Sequence, residues 1–241
     1  MLKKETFTSP NPIHGLQLHS SATPNITISR VHHGLDLFDK VKILEIREHT
    51  VLMQAQNSLA LAYSGETIHL HSEHTPYPIQ GQILEEDLSK SIFVLGELSY
   101  MVEGWKERHQ VRVQPEEPVY FTLKKMGCLV RANLLDLDIT GLGASADRAI
   151  ADLLDNDTDY GVSMDITLSP DISINHLQGT VCYAHDLNRK ATRLGIRTRP
   201  TSAQTTQLAH YIEERREKII GELKDSYAHA IAPAPVQNLY F

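Results

Sequence analysis

Short β-like runs occur twice in this chain in the same order, and that repetition restricts the fold more than any other feature. The first set is Val41–Ile46, Thr50–Met53, Thr67–His71, Ile79–Leu84 and Ser91–Leu95, separated by Asn, Gly, Pro and acidic turns. In the second set Leu129–Leu137 echoes the run from Val41, and Val162–Leu168 echoes Thr67–His71. Leu177-Gln178-Gly179-Thr180-Val181 then echoes Ile79-Gln80-Gly81-Gln82-Ile83, and Arg193–Arg197 stands where Phe93–Glu97 stood. Two such sets predict a mainly β chain of two small antiparallel β-barrels in tandem. After Pro200 the period changes. Leu208, Ile212, Ile219 and Leu223 recur at helical spacing, with Glu214 and Lys218 four apart on the polar side and Gly221 weakening the second half. This predicts a C-terminal α-helix from 202 to about 227. The expected organisation is a polar, proline-containing arm over 1–30, a first barrel over 31–103, a second barrel with its helix over 104–227, and a tail over 228–241.

Composition narrows the function classes. A formal charge of −7 over 241 residues argues against a DNA-coating protein, which needs a basic face to displace counterions, so no DNA partner is expected and any anion site is local. Cys128 and Cys182 have no metal-like spacing, which fits a reducing cytoplasm. No apolar run reaches membrane-spanning length, so no membrane insertion is expected.

The chemistry is concentrated between Arg108 and Gly143. Arg108 and Arg112 lie four apart, each able to fork onto phosphate or a guanine edge. Asp138-Ile139-Thr140-Gly141-Leu142-Gly143 follows a long strand pattern and offers a carboxylate, a hydroxyl and two glycines whose backbone freedom suits a tight turn. The connector Tyr100–Glu107 precedes the arginines, so they are expected at the junction of the two barrels, where a ligand would order the connector and move one barrel against the other. Setting Leu134–Gly143 against Ile43–Leu52 puts Arg47 opposite Asp138, His49 opposite Thr140 and Leu52 opposite Gly143. The first barrel therefore repeats the plan without the site.

Arg-x-x-x-Arg at 108 and 112, then Asp-x-Thr-x-x-Gly at 138, 140 and 143, before a β-rich unit and a terminal helix, resembles the PilZ domain. The likeness covers about 104–227, and the residues before it are more weakly similar to the N-terminal barrel of two-domain members such as flagellar brake proteins. The resemblance implies a six-stranded barrel that binds the bacterial second messenger cyclic di-GMP, with no cofactor, no metal and no enzymatic activity. It implies that Arg108 and Arg112 bind phosphates and guanine Hoogsteen edges, that Asp138 accepts from a guanine, that Thr140 bonds near the same base or phosphate, and that Gly143 supplies a backbone conformation a side chain would spoil. Lys106 and His109 are cationic neighbours outside the motif. The family prefers serine where this chain has Thr140; the hydroxyl is kept, and the added methyl stiffens χ1. The implied role is a receptor that signals to an unidentified protein partner, such as a flagellar motor component, in motility or biofilm control. Homodimerisation is left open.

The same residues admit other readings. An adaptor of this fold that has stopped binding nucleotide is the main alternative, kept in view by Thr140. Gly141-x-Gly143-x-x-Ala146 before the helix-like Ala146–Leu154 suggests a dinucleotide fingerprint, hence an NAD-dependent oxidoreductase, but the strands downstream do not alternate with crossover helices. His69, His71 and His74 read as the solvated face of an edge strand rather than a metal cluster. Asp152, Asp155, Asn156, Asp157 and Asp159 read as a turn, because the closing glutamate of a calcium loop is missing.

Overall fold

The computed structural model describes residues 12–17, 26–57, 65–72, 75, 77–101, 110–125, 127–148 and 161–231. These form helix α1 (Pro12–Gln17), strands β1 (Ile26–His32), β2 (Leu35–Ile46), β3 (Val51–Ala55), β4 (Thr67–Ser72), β5 (Ile79–Asp87) and β6 (Ile92–Tyr100), then β7 (Val119–Lys125), β8 (Cys128–Leu137), β9 (Gly141–Asp147), β10 (Val162–Ser169), β11 (Ile172–Asp186), β12 (Ala191–Arg199) and helix α2 (Ser202–Ile231). The strands close into two antiparallel barrels of six, ordered β1-β2-β3-β6-β5-β4 and β10-β11-β12-β9-β8-β7. Replacing β1 to β6 by β7 to β12 converts the first order of neighbours into the second. The repeat read from the sequence is thus a repeat of topology, with β2, β4, β5 and β6 answered by β8, β10, β11 and β12.

The reason lies in alternation. In β10 every second residue from Val162 to Leu168 is buried, and in β7 Val119, Phe121 and Leu123 turn inward, as a strand with one face on a core requires. The first core gathers Ile28, Val51, Met53, Ile68, Leu70, Ile83, Phe93 and Leu95, with Leu16 of α1 among them. Burying a side chain of this size contributes about 1.5–3 kcal/mol, so a short helix with one fully buried leucine is held by packing rather than by its own propensity.

The described residues divide into two compact units, with boundaries at His32/His33, at Leu35/Asp36, between the barrels, and at Ile220/Gly221 inside α2. In the second unit α2 buries Leu208, Tyr211, Ile212 and Arg215, and the Arg215 Nε–H donates to the Gln114 carbonyl at 3.0 Å. In the first unit the Tyr227 hydroxyl donates to the Leu88 carbonyl at 3.0 Å.

Several local expectations are corrected. β1 starts at Ile26 and α1 lies at Pro12–Gln17, inside the stretch read as an arm, and α2 runs to Ile231 rather than about 227. On the polar side of α2, Lys218 pairs with Glu116, and Glu214 faces His210 at 3.4 Å. β4 is a member of a closed barrel, paired to β1 and β5, so its histidines are not on an edge. His71 is bonded to Ser29 Oγ at 2.8 Å, while His74 lies outside the described residues, as do the acidic stretch 152–159 and Trp105. Ala146 belongs to β9, which runs antiparallel to β8, so Gly141 and Gly143 do not open a helix and the dinucleotide-fingerprint geometry is absent there. Among the described residues, no helix is long and apolar enough to cross a membrane.

Candidate functional site

The site grows out of the β8–β9 hairpin. β8 pairs with β9 through Leu137↔Leu142 and Asp136↔Gly143, with a register shift between Leu134 and Asp136. Asp138-Ile139-Thr140 forms the turn, closed by the Asp138 N–H donating to the Gly141 carbonyl at 2.8 Å. Val113 joins this end of the barrel by an isolated bridge to Leu137, with bonds of 3.0 and 2.9 Å in the two directions. That bridge sets Arg112 opposite Asp138, although 26 residues separate them.

The Arg112 guanidinium spans Asp136 and Asp138. Its Nε and Nη2 donate to Asp138 Oδ2 at 3.1 and 2.6 Å, and its Nη1 donates to Asp136 Oδ1 at 2.9 Å. Burial works against the charge of Arg112, but bonds to Asp138 and the charges of Asp136 and Asp138 outweigh it and hold the guanidinium above its ordinary range. Asp138 Oδ1 is engaged by the Thr140 N–H at 2.7 Å and the Thr140 hydroxyl at 3.0 Å, and the same hydroxyl lies 2.7 Å from Gln110 Oε1. Asp138 is therefore a buried carboxylate held in orientation by one guanidinium and by its own turn.

Arg112, Asp138 and Thr140 line an open depression of about 400 Å³ together with Gly141, Tyr183, Gly195 and Arg197. Two glycines, Gly141 and Gly195, are in its lining. Gly143 of β9 pairs with Gly195 of β12, which pairs in turn with Tyr183 of β11. Tyr183 lies across Gly195 so closely that a Cβ there would come within 2.1 Å of its ring, and the ring stacks on His185 with centroids 5.5 Å apart and an interplanar angle of 16°. A flat aromatic, 45% exposed, thus borders the arginine and the carboxylate.

The structure brings Asp138, Thr140 and Gly143 together on one hairpin and sets Arg112 against it from the segment before β7. Arg108, Lys106 and His109 lie outside the described residues. Gly143 is present for a different reason than expected. Its φ is outside the left-handed region; what it provides is room, because a Cβ would sit 2.8 and 3.0 Å from the Asp136 oxygens and 3.1 Å from Arg193 Nη2. Sequence reasoning missed Asp136, Arg193, Tyr183 and Arg197. Alternation was the available signal, since Asp136 and Asp138 are two apart, as are Arg193, Gly195 and Arg197.

The first barrel holds the matching hairpin. β2 and β3 pair through Ile46↔Val51 and Glu45↔Leu52, with a register shift between Ile43 and Glu45. Position by position, Glu45 answers Asp136, Arg47 answers Asp138 and Leu52 answers Gly143. Arg47 donates to Glu45 at 3.1 and 2.9 Å, so this turn pairs its own charges on the surface.

No family model matches the chain, and no curated protein matches it. Solved structures do. YcgR from Escherichia coli in complex with c-di-GMP is 16% identical over 94% of this chain and 100% of that one, with a TM-score of 0.44. The K. pneumonia MrkH–c-di-GMP complex is 12% identical over 89% and 94%, with a TM-score of 0.42. The PilZ domain of YcgR with c-di-GMP is 18% identical over 49% of this chain and 98% of that one, with a TM-score of 0.40. One of these neighbours, then, is a PilZ domain.

Proposed function

We propose that this chain is a non-enzymatic receptor for cyclic di-GMP. The observation that carries the reading is the convergence of Arg112, Asp138 and Thr140 at one hairpin beside an open depression that also holds Tyr183 and Arg197. A cyclic dinucleotide presents two phosphates, two planar bases and guanine edges. Forked guanidiniums suit the phosphates, a carboxylate suits guanine N–H donors, and an exposed aromatic suits a base face. Arg108 is included in this reading on the motif alone. On binding, the ligand alters the disposition of the two barrels and, through it, the contact with a protein partner in motility or biofilm control in the cytoplasm.

Isothermal titration of the full chain with cyclic di-GMP tests the reading. Arg112→Ala removes charge-assisted bonds of about 1.5–3 kcal/mol, which is roughly tenfold to a hundredfold in affinity. Absence of heat from the unaltered chain at high micromolar ligand rejects the receptor.

A second reading, an adaptor that works through protein contacts without nucleotide, is favoured by one observation: Arg112 and Asp138 already satisfy each other, and the Thr140 hydroxyl has acceptor oxygens of Asp138 and Gln110 within reach of its one hydrogen. Titration of Thr140→Ser separates the two. Binding that appears only on removing the methyl assigns the unaltered chain to the adaptor class.

A further inference from the structure

Asp136 is held by two guanidiniums from different elements, and it belongs to neither half of the motif. Its side chain is 8% exposed, and each oxygen is held by a different guanidinium: Oδ1 by Arg112 Nη1 at 2.9 Å and Oδ2 by Arg193 Nη2 at 2.5 Å. The carboxylate lies over Gly143, in the space that a Cβ there would need. Arg193 arrives from β12, where it shares a face with Gly195 and Arg197, both of which line the depression. Three guanidiniums therefore converge on this face, from Arg112, Arg193 and Arg197, against two carboxylates.

An acid bridged between two guanidiniums presents two anionic oxygens at the spacing of a forked acceptor, as a phosphate does. We propose that Asp136 is an internal stand-in for a ligand phosphate. It keeps Arg112 and Arg193 paired while the site is empty, and a bound phosphate takes over part of their donor set. The inference makes Arg193 a phosphate-binding residue beyond the Arg-x-x-x-Arg pattern and Asp136 the residue that sets the affinity. It rests on the reading of this depression as a site for a phosphate-bearing ligand. The stereochemistry permits the exchange, because Arg193 commits only Nη2 to Asp136 and a guanidinium carries five N–H donors in all, so a phosphate can be gripped by the remaining edge before the ion pair parts. A competing charge built into the site lowers affinity in proportion to how firmly it holds the cations, and neutralising it removes that competition.

The test is a titration of the full chain and of Asp136→Asn and Arg193→Gln, each with cyclic di-GMP and separately with inorganic pyrophosphate, after circular dichroism has shown that each variant is folded. Asp136→Asn is expected to bind roughly tenfold more tightly and Arg193→Gln roughly tenfold more weakly than the unaltered chain. Asp136→Asn binding both probes equally or more weakly, or Arg193→Gln binding like the unaltered chain, overturns the inference, as does failure of every form to bind either probe. Pyrophosphate following the expected order while cyclic di-GMP binds to no form keeps the role of Asp136 and removes the dinucleotide as ligand. Should Asp136→Asn not fold, the affinity of Arg193→Gln decides.

Discussion

At the scale of single residues, Gly143 shows how a site is specified by what a position leaves empty. Its Cα faces Asp136 and Arg193, and a methyl group there would press on the carboxylate at 2.8 Å. The neighbour cannot withdraw cheaply, because Asp136 is tied to two arginines. Gly143→Ala should therefore destabilise the fold by about 1–3 kcal/mol, the usual range for forcing an extra methyl into a packed place, as read by urea unfolding. An unchanged midpoint would show that the ion pair shifts freely. Of this cluster, Arg112, Asp138, Thr140 and Gly143 were legible in sequence, since they belong to short patterns with fixed spacing. Asp136 and Arg193 were not, because their bond spans 57 residues and exists only through the register of three strands. Tyr183 was hidden for the same reason.

At the scale of elements, strands and helix were readable because alternation and a 3.6-residue period each follow from which face meets the core. What escaped was the partner of a charge. Lys218 has an acid four residues earlier in its own helix, Glu214, yet the structure pairs it with Glu116 from the segment before β7. The bond from Lys218 holds the Glu116 carboxyl below its ordinary value of 4.5. A carboxyl whose folded pKa is depressed adds stability that is fully present above the unfolded value and is lost as pH falls through the folded one. Stability should thus decline on acidification below about 4.5 in part through this pair, and Glu116→Gln should flatten that part of the profile, measured as urea midpoints at stepped pH. Both groups are about half exposed, so the expected effect is small and salt-sensitive. A Glu116→Gln profile parallel to that of the unaltered chain would show the pair to be energetically silent.

At the scale of the whole molecule, one strand plan is used twice, and among the described residues the second copy carries the buried arginine–carboxylate cluster beside the depression. The receptor reading predicts that cyclic di-GMP slows amide exchange at the β8–β9 turn, Asp138–Gly141, and along the facing stretch of β12, while the β2–β3 turn at Arg47–Thr50 is unaffected. Equal protection of both turns would remove the assignment of the ligand to the second hairpin. The two hairpins share register, the position of the register shift and length of turn, and they differ where Glu45 and Arg47 stand in place of Asp136 and Asp138. The chain consequently contains its own reference compartment. Solvent, temperature, ionic strength and the exchange chemistry act on both turns alike, so the difference between them, recorded in one sample, isolates what the site residues do from what any turn of that shape would do.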